Sequence, residues 1–155
     1  MLAFRPRSLS PFPVLALLGT ATACGGNSIG PAEFGLRHAR DLWRQAAILD
    51  YSVTVERRCV CDGANRPVVV QVSGGAVVST TDAQTGDPIE ISAVGPYPSV
   101  EGMFEILQNA VDTDAHDIIA TYQIDLGYPL ELQIDFDRET KDEELGYVTL
   151  MFERR

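Results

Sequence analysis

A helix followed by three strands is predicted twice along this chain, and this repeat constrains the fold more than any other feature. In the first half, apolar residues at helical spacing predict a helix over 31–48. Alternating apolar residues, separated by glycine and aspartate turns, then predict strands that begin at Tyr51, Pro67 and Ala76. Residues 82–98 are rich in glycine, proline and aspartate, which predicts a loop.

The second half has the same order of elements. Ser99 is a predicted N-cap, and apolar residues follow it at helical spacing. Three strands are then predicted over 118–124, 130–136 and 147–152. The middle strand alternates strictly, so its apolar residues are expected to face inward: Leu130, Leu132, Ile134 and Phe136.

The two halves also match in sequence. Pro67-Val-Val-Val-Gln-Val72 and Pro129-Leu-Glu-Leu-Gln-Ile134 share the position of the proline and the apolar pattern, as a duplication would produce. Connections between the elements are short, which favours antiparallel neighbours. We therefore predict an α+β fold in which two αβββ units form an antiparallel sheet with two helices on one face.

The N-terminal region predicts export and a lipid anchor. Arg5 and Arg7 precede an apolar stretch of about ten residues, which fits a signal peptide and is too short to span a bilayer. Small residues lie directly before Cys24, as in a bacterial lipobox. We predict a lipoprotein signal peptide over 1–23, a lipidated Cys24 with a flexible tether over 24–30, and a single domain over 31–155.

This N-terminal prediction also sets the location of the protein. A lipid on Cys24 would anchor the domain to a membrane of the cell envelope. Gly25 is not the aspartate of a retention signal, which favours the outer membrane or the cell surface. The alternative is an ordinary cleaved signal peptide followed by an incidental cysteine.

Acidic side chains dominate the predicted mature chain. Two of the 12 basic residues precede Cys24, so residues 24–155 carry 10 basic and all 22 acidic side chains, a net charge of −12. This charge argues against binding to nucleic acid and against electrostatic binding to anionic lipid headgroups. Cationic ligands, metal ions and an envelope protein remain compatible partners.

Five motifs in a fixed order resemble a known family. They are the strand from Tyr51 to Cys59-Val-Cys61, the Pro67 strand with Gly74-Gly75, Ser99-Val-Glu-Gly-Met-Phe104, Tyr122 through Gly127-Tyr128-Pro129, and Asp135 with Asp142-Glu143-Glu144. Together they resemble the small bacterial exported proteins of domain of unknown function 6174 over most of residues 40–153. The resemblance implies an exported, often lipid-anchored α+β domain and brings no catalytic residues with it.

Cys59 and Cys61 are the two cysteines left if Cys24 carries a lipid, and an even number in an oxidising compartment predicts a disulfide. Residues two apart on a regular strand are separated by about 6.6 Å, with parallel side chains that do not reach each other. A bulge or turn is therefore required, and Asp62-Gly63 supplies a turn signal. A structural bridge, a redox-active pair, and thiols that bind metal with His38 or His116 are the three interpretations.

Two acidic segments are candidate metal sites. Asp135, Asp137 and Glu139 are spaced like the first ligands of a calcium loop, and Asp142 follows them. The glycine and the final glutamate of an EF-hand are absent, so a looser calcium site and a solvated loop are the two interpretations. His116 lies among three aspartates just after the second helix, where such residues form a site or only solvate the helix end.

Function is the least constrained property. Tyr128, in a predicted turn, is a candidate binding contact, with packing of the turn as the alternative. The chain has no nucleophile elbow, no glycine-rich phosphate loop and no HExxH motif, which favours a non-catalytic role without excluding catalysis. Our leading hypothesis is an envelope-anchored binding or interaction domain without a cofactor. The alternatives are a thiol–disulfide redox protein and a calcium-dependent binding module.

Overall fold

The computed structural model describes residues 30–90, 97–140 and 142–155, and these have the predicted order of elements. Cys24, the signal peptide and most of the tether lie outside the described residues. The fold is α+β. Its elements are α1 (Pro31–Ala46), β1 (Tyr51–Arg58), β2 (Pro67–Ser73), β3 (Ala76–Asp82), α2 (Val100–Asp112), β4 (Asp117–Tyr122), β5 (Pro129–Asp135) and β6 (Leu145–Arg154).

The six strands form one antiparallel sheet in the order β3-β2-β1-β6-β5-β4. Each αβββ unit contributes three consecutive strands, and the two units join where β1 pairs with β6. Pro67 and Pro129 begin β2 and β5, the middle strands of the two units, as the repeat predicts. The edges are therefore β3, the last strand of the first unit, and β4, the first strand of the second.

Both helices pack on one face of the sheet. Trp43 of α1 lies edge-on to the rings of Tyr51 and Phe152, with centroids 5.4 and 5.7 Å apart. Phe104 of α2 stacks on Tyr122 at 6.4 Å. The apolar core between the helices and the sheet includes alternate residues of β1 and β2, whose valines are buried. Neither helix covers the other face, which we call the bare face.

The ends of both helices follow from their sequences. α1 starts at Pro31, where the missing N–H costs nothing. It ends at Ala46 and not at Ile48, because Ala47 has a φ of +47° and its N–H bonds to the carbonyl of Arg44. The predicted cap of α2 is confirmed, since the Ser99 hydroxyl accepts a hydrogen bond from the Gly102 N–H at 3.1 Å.

One prediction for the fifth strand is wrong. Leu132 and Ile134 are buried and Phe136 packs against the core, but Leu130 is 37% exposed. Thr121 pairs with Glu131 and Tyr122 with Pro129, so Leu130 is the extra residue of a β-bulge. The bulge interrupts the alternation from which the inward position of Leu130 was predicted.

Candidate functional site

Cys59 and Cys61 form a disulfide just after the end of β1. Their Cα atoms are 5.3 Å apart, closer than on a regular strand. The chain turns here, and the Asn65 N–H, 2.8 Å from the Arg57 carbonyl oxygen, closes the turn. The prediction that this bridge needs a turn is confirmed. Cys59 is half-buried and Cys61 is exposed, so solvent reaches the bridge.

A groove of about 340 Å³ lies beside this disulfide, on the bare face of the sheet. We call it the disulfide groove. Cys59 and Val60 form one side, and Ile119 and Leu145 add apolar surface from β4 and β6. Gly146 is buried on its floor and has no side chain to fill it. The volume and the mixed lining suit a small ligand or the side chains of a peptide.

Carboxylates dominate the charge of the disulfide groove. Asp117, Asp135 and Glu144 line it, and Arg58 is the one basic side chain that the described residues contribute to the lining. Asp117 and Asp135 are direct partners across β4 and β5, and like charges in this position repel each other. Arg58 pairs with Glu56 at 3.3 Å and Glu131 at 3.8 Å, so its charge is largely neutralised. The groove is therefore suited to a cation.

The acidic loop after β5 is organised by hydrogen bonds of its own. Asp137 accepts from the Glu139 N–H at 3.0 Å and from the Thr140 hydroxyl at 2.8 Å. These bonds, the backbone one first, hold the pKa of Asp137 below its ordinary value. Glu143 accepts from the N–H groups of Phe136 and Asp137. The carboxylates of Asp137 and Glu143 thus stabilise the loop by accepting hydrogen bonds from its backbone N–H groups.

The predicted calcium ligands do not converge. Asp135 lines the disulfide groove, while Asp137, Glu139 and Asp142 are exposed. Within residues 30–90, 97–140 and 142–155, no three acidic, histidine or cysteine side chains lie close enough to hold a metal ion. This holds equally for His116 and its neighbouring aspartates. The calcium hypothesis therefore gains no geometric support from the described part of the chain.

Tyr128, the candidate binding contact, packs inward. Its ring stacks on Phe152 with centroids 4.5 Å apart and meets Trp43 edge-on at 6.4 Å. Burial raises the pKa of its phenol. This geometry agrees with the alternative role of packing the turn.

The sequence analysis missed a polar network under the helices. Glu101 of α2 accepts from Trp43 Nε1 at 2.9 Å and from the Tyr51 hydroxyl at 2.5 Å. The Tyr51 oxygen in turn accepts from the Val100 N–H at 3.0 Å. Burial, followed by the contact with Glu101, raises the pKa of Tyr51. The network ties α1, β1 and α2 together, and its partners lie about 50 residues or more apart in sequence.

The predicted site of lipid attachment, Cys24, lies outside the residues that the structure describes. Among the residues that the structure describes, none of the helices is both long and apolar enough to span a bilayer. Lipidation of Cys24 stays a prediction from the sequence.

Comparison with known proteins gives one match. The model of a family described as a family of unknown function (DUF6174) matches residues 35–154. No curated protein and no solved structure matches the chain. The match covers nearly all of both αβββ units, including the disulfide and every residue of the groove.

Proposed function

Since the chain belongs to the DUF6174 family, whose function is unknown, we propose, from its N-terminal sequence and from its geometry, that it is an exported, lipid-anchored domain that binds a cationic ligand. The disulfide groove is the observation that carries this proposal. Its three carboxylates and apolar side chains match a ligand that has both a positive charge and an apolar part. The net charge of −12 over residues 24–155 adds long-range attraction for such a ligand.

The disulfide has a structural part in this proposal. By closing the turn after β1, it holds Cys59 and Val60 at the side of the groove. A groove formed in advance loses less conformational entropy when a ligand binds. Reduction of the bridge should therefore weaken binding without unfolding the sheet, because both cysteines lie in the connection between β1 and β2 and in neither strand.

A titration with hexylammonium, followed by amide chemical shifts, tests the groove. Hexanoate has a similar apolar chain and the opposite charge, so it is the matched control ligand. We expect shifts at β4, β5 and the turn after β1 with hexylammonium only. The double variant Asp117→Asn/Asp135→Asn should weaken this binding about tenfold or more. Glu105→Gln, an exposed change on α2, should leave it unchanged.

Equal binding of the two ligands, or binding that survives the double variant, would contradict the cationic ligand. The anchor is tested separately by the intact mass of the protein extracted from membranes. We expect cleavage before Cys24 and a lipid adduct on it, while Cys24→Ser should release the domain from the membrane. A soluble, unmodified wild-type chain would remove the anchor and leave the groove proposal standing.

A thiol–disulfide function is the second candidate, and exposure of the bridge favours it. Cys61 is exposed and Cys59 lines a groove, so a thiolate of another molecule has access to either sulfur. Alkylation after incubation in glutathione buffers separates the two functions. A redox protein would be reduced in buffers near the glutathione potential, whereas a structural bridge would resist until a strong dithiol is added.

A further inference from the structure

The strand β4 forms an edge of the sheet that no described segment covers. Within the described residues, no backbone hydrogen bond joins its outer side to another segment. Its sequence, Asp-Ile-Ile-Ala-Thr-Tyr, has neither the lysine nor the proline that commonly blunts an edge strand. Its outer N–H and C=O groups are therefore available to pair with an added strand.

The internal repeat indicates where such a strand would lie. β1 and β4 are the first strands of the two units, and both pair on one side with the second strand of their own unit. On its other side, β1 pairs antiparallel with β6 along its whole length, from Tyr51 to Arg58. No described strand occupies the equivalent position beside β4. A strand added there would continue the pattern already present at the centre of the sheet.

A second groove, which we call the edge groove, runs between α1 and β4. It consists of two adjoining cavities of about 320 and 350 Å³, which share Gly35, Ala120 and Tyr122 in their linings. Gly35 lies inside α1, where glycine is unfavourable for a helix. A Cβ atom at this position would contact only Tyr122, at 3.7 Å. The missing side chain thus leaves room for side chains of an added strand.

Charge and topology identify the occupant. The edge of β4 is flanked by exposed aspartates: Asp114 lies before the strand, Asp117 is its first residue, and Asp125 follows it. Two copies of this chain, each with a charge of −12 over residues 24–155, would repel each other. The opposite edge of a second copy is also blocked, because Thr81 of β3 pairs with Pro88 of the following loop. The charge therefore favours a basic partner, and the blocked edge opposes pairing of β4 with β3 of a second copy.

We propose that β4 and the edge groove bind an extended segment of a partner protein, with alternating apolar residues and lysine or arginine at its ends. The segment pairs antiparallel with β4, and its apolar side chains enter the edge groove over Gly35. Its basic ends lie near the flanking aspartates. Ile119 and Asp117 belong to both proposals, but Gly35 lines only the edge groove, so a variant of Gly35 tests this inference separately from the disulfide groove.

The test uses the full chain and a fluorescent peptide, Lys-Lys-Thr-Val-Thr-Val-Thr-Val-Lys-Lys. We expect binding by anisotropy and amide shifts along β4. Gly35→Leu should weaken binding about tenfold or more by filling the edge groove. Gln45→Leu places the same leucine at an exposed position of α1 outside the edge groove and should have no effect. The same peptide with glutamate ends should bind about tenfold more weakly at low salt.

A backbone test needs no protein variant, and it decides the matter if Gly35→Leu fails to fold. Two further peptides carry N-methyl groups on alternate residues, so that each blocks one edge of the bound strand. Strand addition predicts that one of them loses binding and the other keeps it. Equal binding of both, or no binding of the parent peptide at about 1 mM, overturns the proposal. A dimer of the free chain that Gly35→Leu dissociates also overturns it, in favour of a second copy.

Discussion

The two edge strands of the sheet, β3 and β4, come from equivalent units but differ in whether another segment of the described chain covers them. At β3 the chain returns along the edge, where the Ile89 N–H bonds to the Thr80 carbonyl at 3.0 Å and the Asp82 N–H to the Asp87 carbonyl at 2.8 Å. Asp82 holds this return segment, since its carboxylate accepts from Arg66 and from two backbone N–H groups of the turn. β4 has no such cover among the described residues.

The difference follows from the length of chain next to each edge. A long connection joins β3 to α2, and its first part is free to fold back on the strand. β4 follows α2 after four residues, 113–116, and turns directly into β5. Neither connection is long enough to cover the edge. The two units thus share one order of strands, while the chain covers the edge at β3 and no described segment covers the edge at β4.

The largest effect is expected from opening the closed edge. The Thr80 hydroxyl donates to the Ile89 carbonyl at 2.7 Å in a buried position, so Thr80→Val leaves that carbonyl without its partner. The free energy of unfolding should fall by about 1–3 kcal/mol. Urea denaturation measures this loss, and hydrogen exchange should show faster exchange at β3.

The matched substitution on the other edge is Thr121→Val. Thr121 is exposed on β4, and its change should alter stability by less than about 0.5 kcal/mol. Equal losses for the two variants would mean that the return segment does not protect β3, and the contrast between the edges would fail.

The second largest loss of stability at the β3 edge is expected in acid, when the carboxylate of Asp82 is protonated. This loss should be smaller than that of Thr80→Val, because a protonated carboxyl group still accepts hydrogen bonds. The Thr85 N–H, followed by Arg66, holds the pKa of Asp82 below its ordinary value. A lowered pKa in the folded state adds stability above the unfolded pKa, about 4, and this stability is lost as pH falls through the folded pKa. The protection factors of the β3 amides, which correct for the slower intrinsic exchange in acid, should therefore fall below about pH 4.

Asp82→Asn is the control for this pH dependence. It should make the unfolding free energy less sensitive to pH in the acid range without abolishing the dependence. Asp50 and Asp137 should contribute to what remains, because hydrogen bonds also lower the pKa of each. An unchanged acid dependence in Asp82→Asn would show that its carboxylate does not hold the return segment.

The sequence predicted the elements of both units but not this contrast. Local signals, such as the Ser99 cap and the alternation of the strands, suffice for the order of elements. The residues after β3 were predicted only as a loop, because the return along the edge depends on contacts such as that between Arg66 and Asp82. Which strands join the units is also a tertiary property, and only that pairing makes β4 an edge.

A change in the helix beside the free edge should stabilise the protein. Gly35→Ala replaces a glycine inside α1 and meets no close neighbour, so the unfolding free energy should rise by about 0.5–1 kcal/mol. Thermal and urea denaturation measure the change. Gly102→Ala in α2 is the matched control. There, the new Cβ would lie 3.0 Å from Pro98, so this helix glycine should show no gain. A loss in Gly35→Ala would mean that the edge groove is not open.

The candidate sites, like the pairing of the strands, could be predicted from the sequence only where their residues are close together in the chain. Asp135 was selected for its spacing with Asp137 and Glu139, but it lies in a groove whose other carboxylates, Asp117 and Glu144, come from other segments. The Cys59–Cys61 bridge was predictable because it is local. The sequence around Gly35 does not indicate a groove, because the groove forms only where α1 lies beside β4.

The smallest effect concerns the like charges at the disulfide groove. Asp117→Asn removes the repulsion with Asp135 across β4 and β5, so the free protein should gain about 0.2–0.5 kcal/mol of stability, and less at high salt. The same change should weaken binding of hexylammonium. Asp117→Asn should then raise stability and lower affinity for hexylammonium, as expected for a charge that contributes to ligand binding at a cost to the stability of the fold. Glu105→Gln should change neither quantity. A loss of stability in Asp117→Asn would mean that its charge has a favourable partner in the fold, and the groove would lose its argument for a cation.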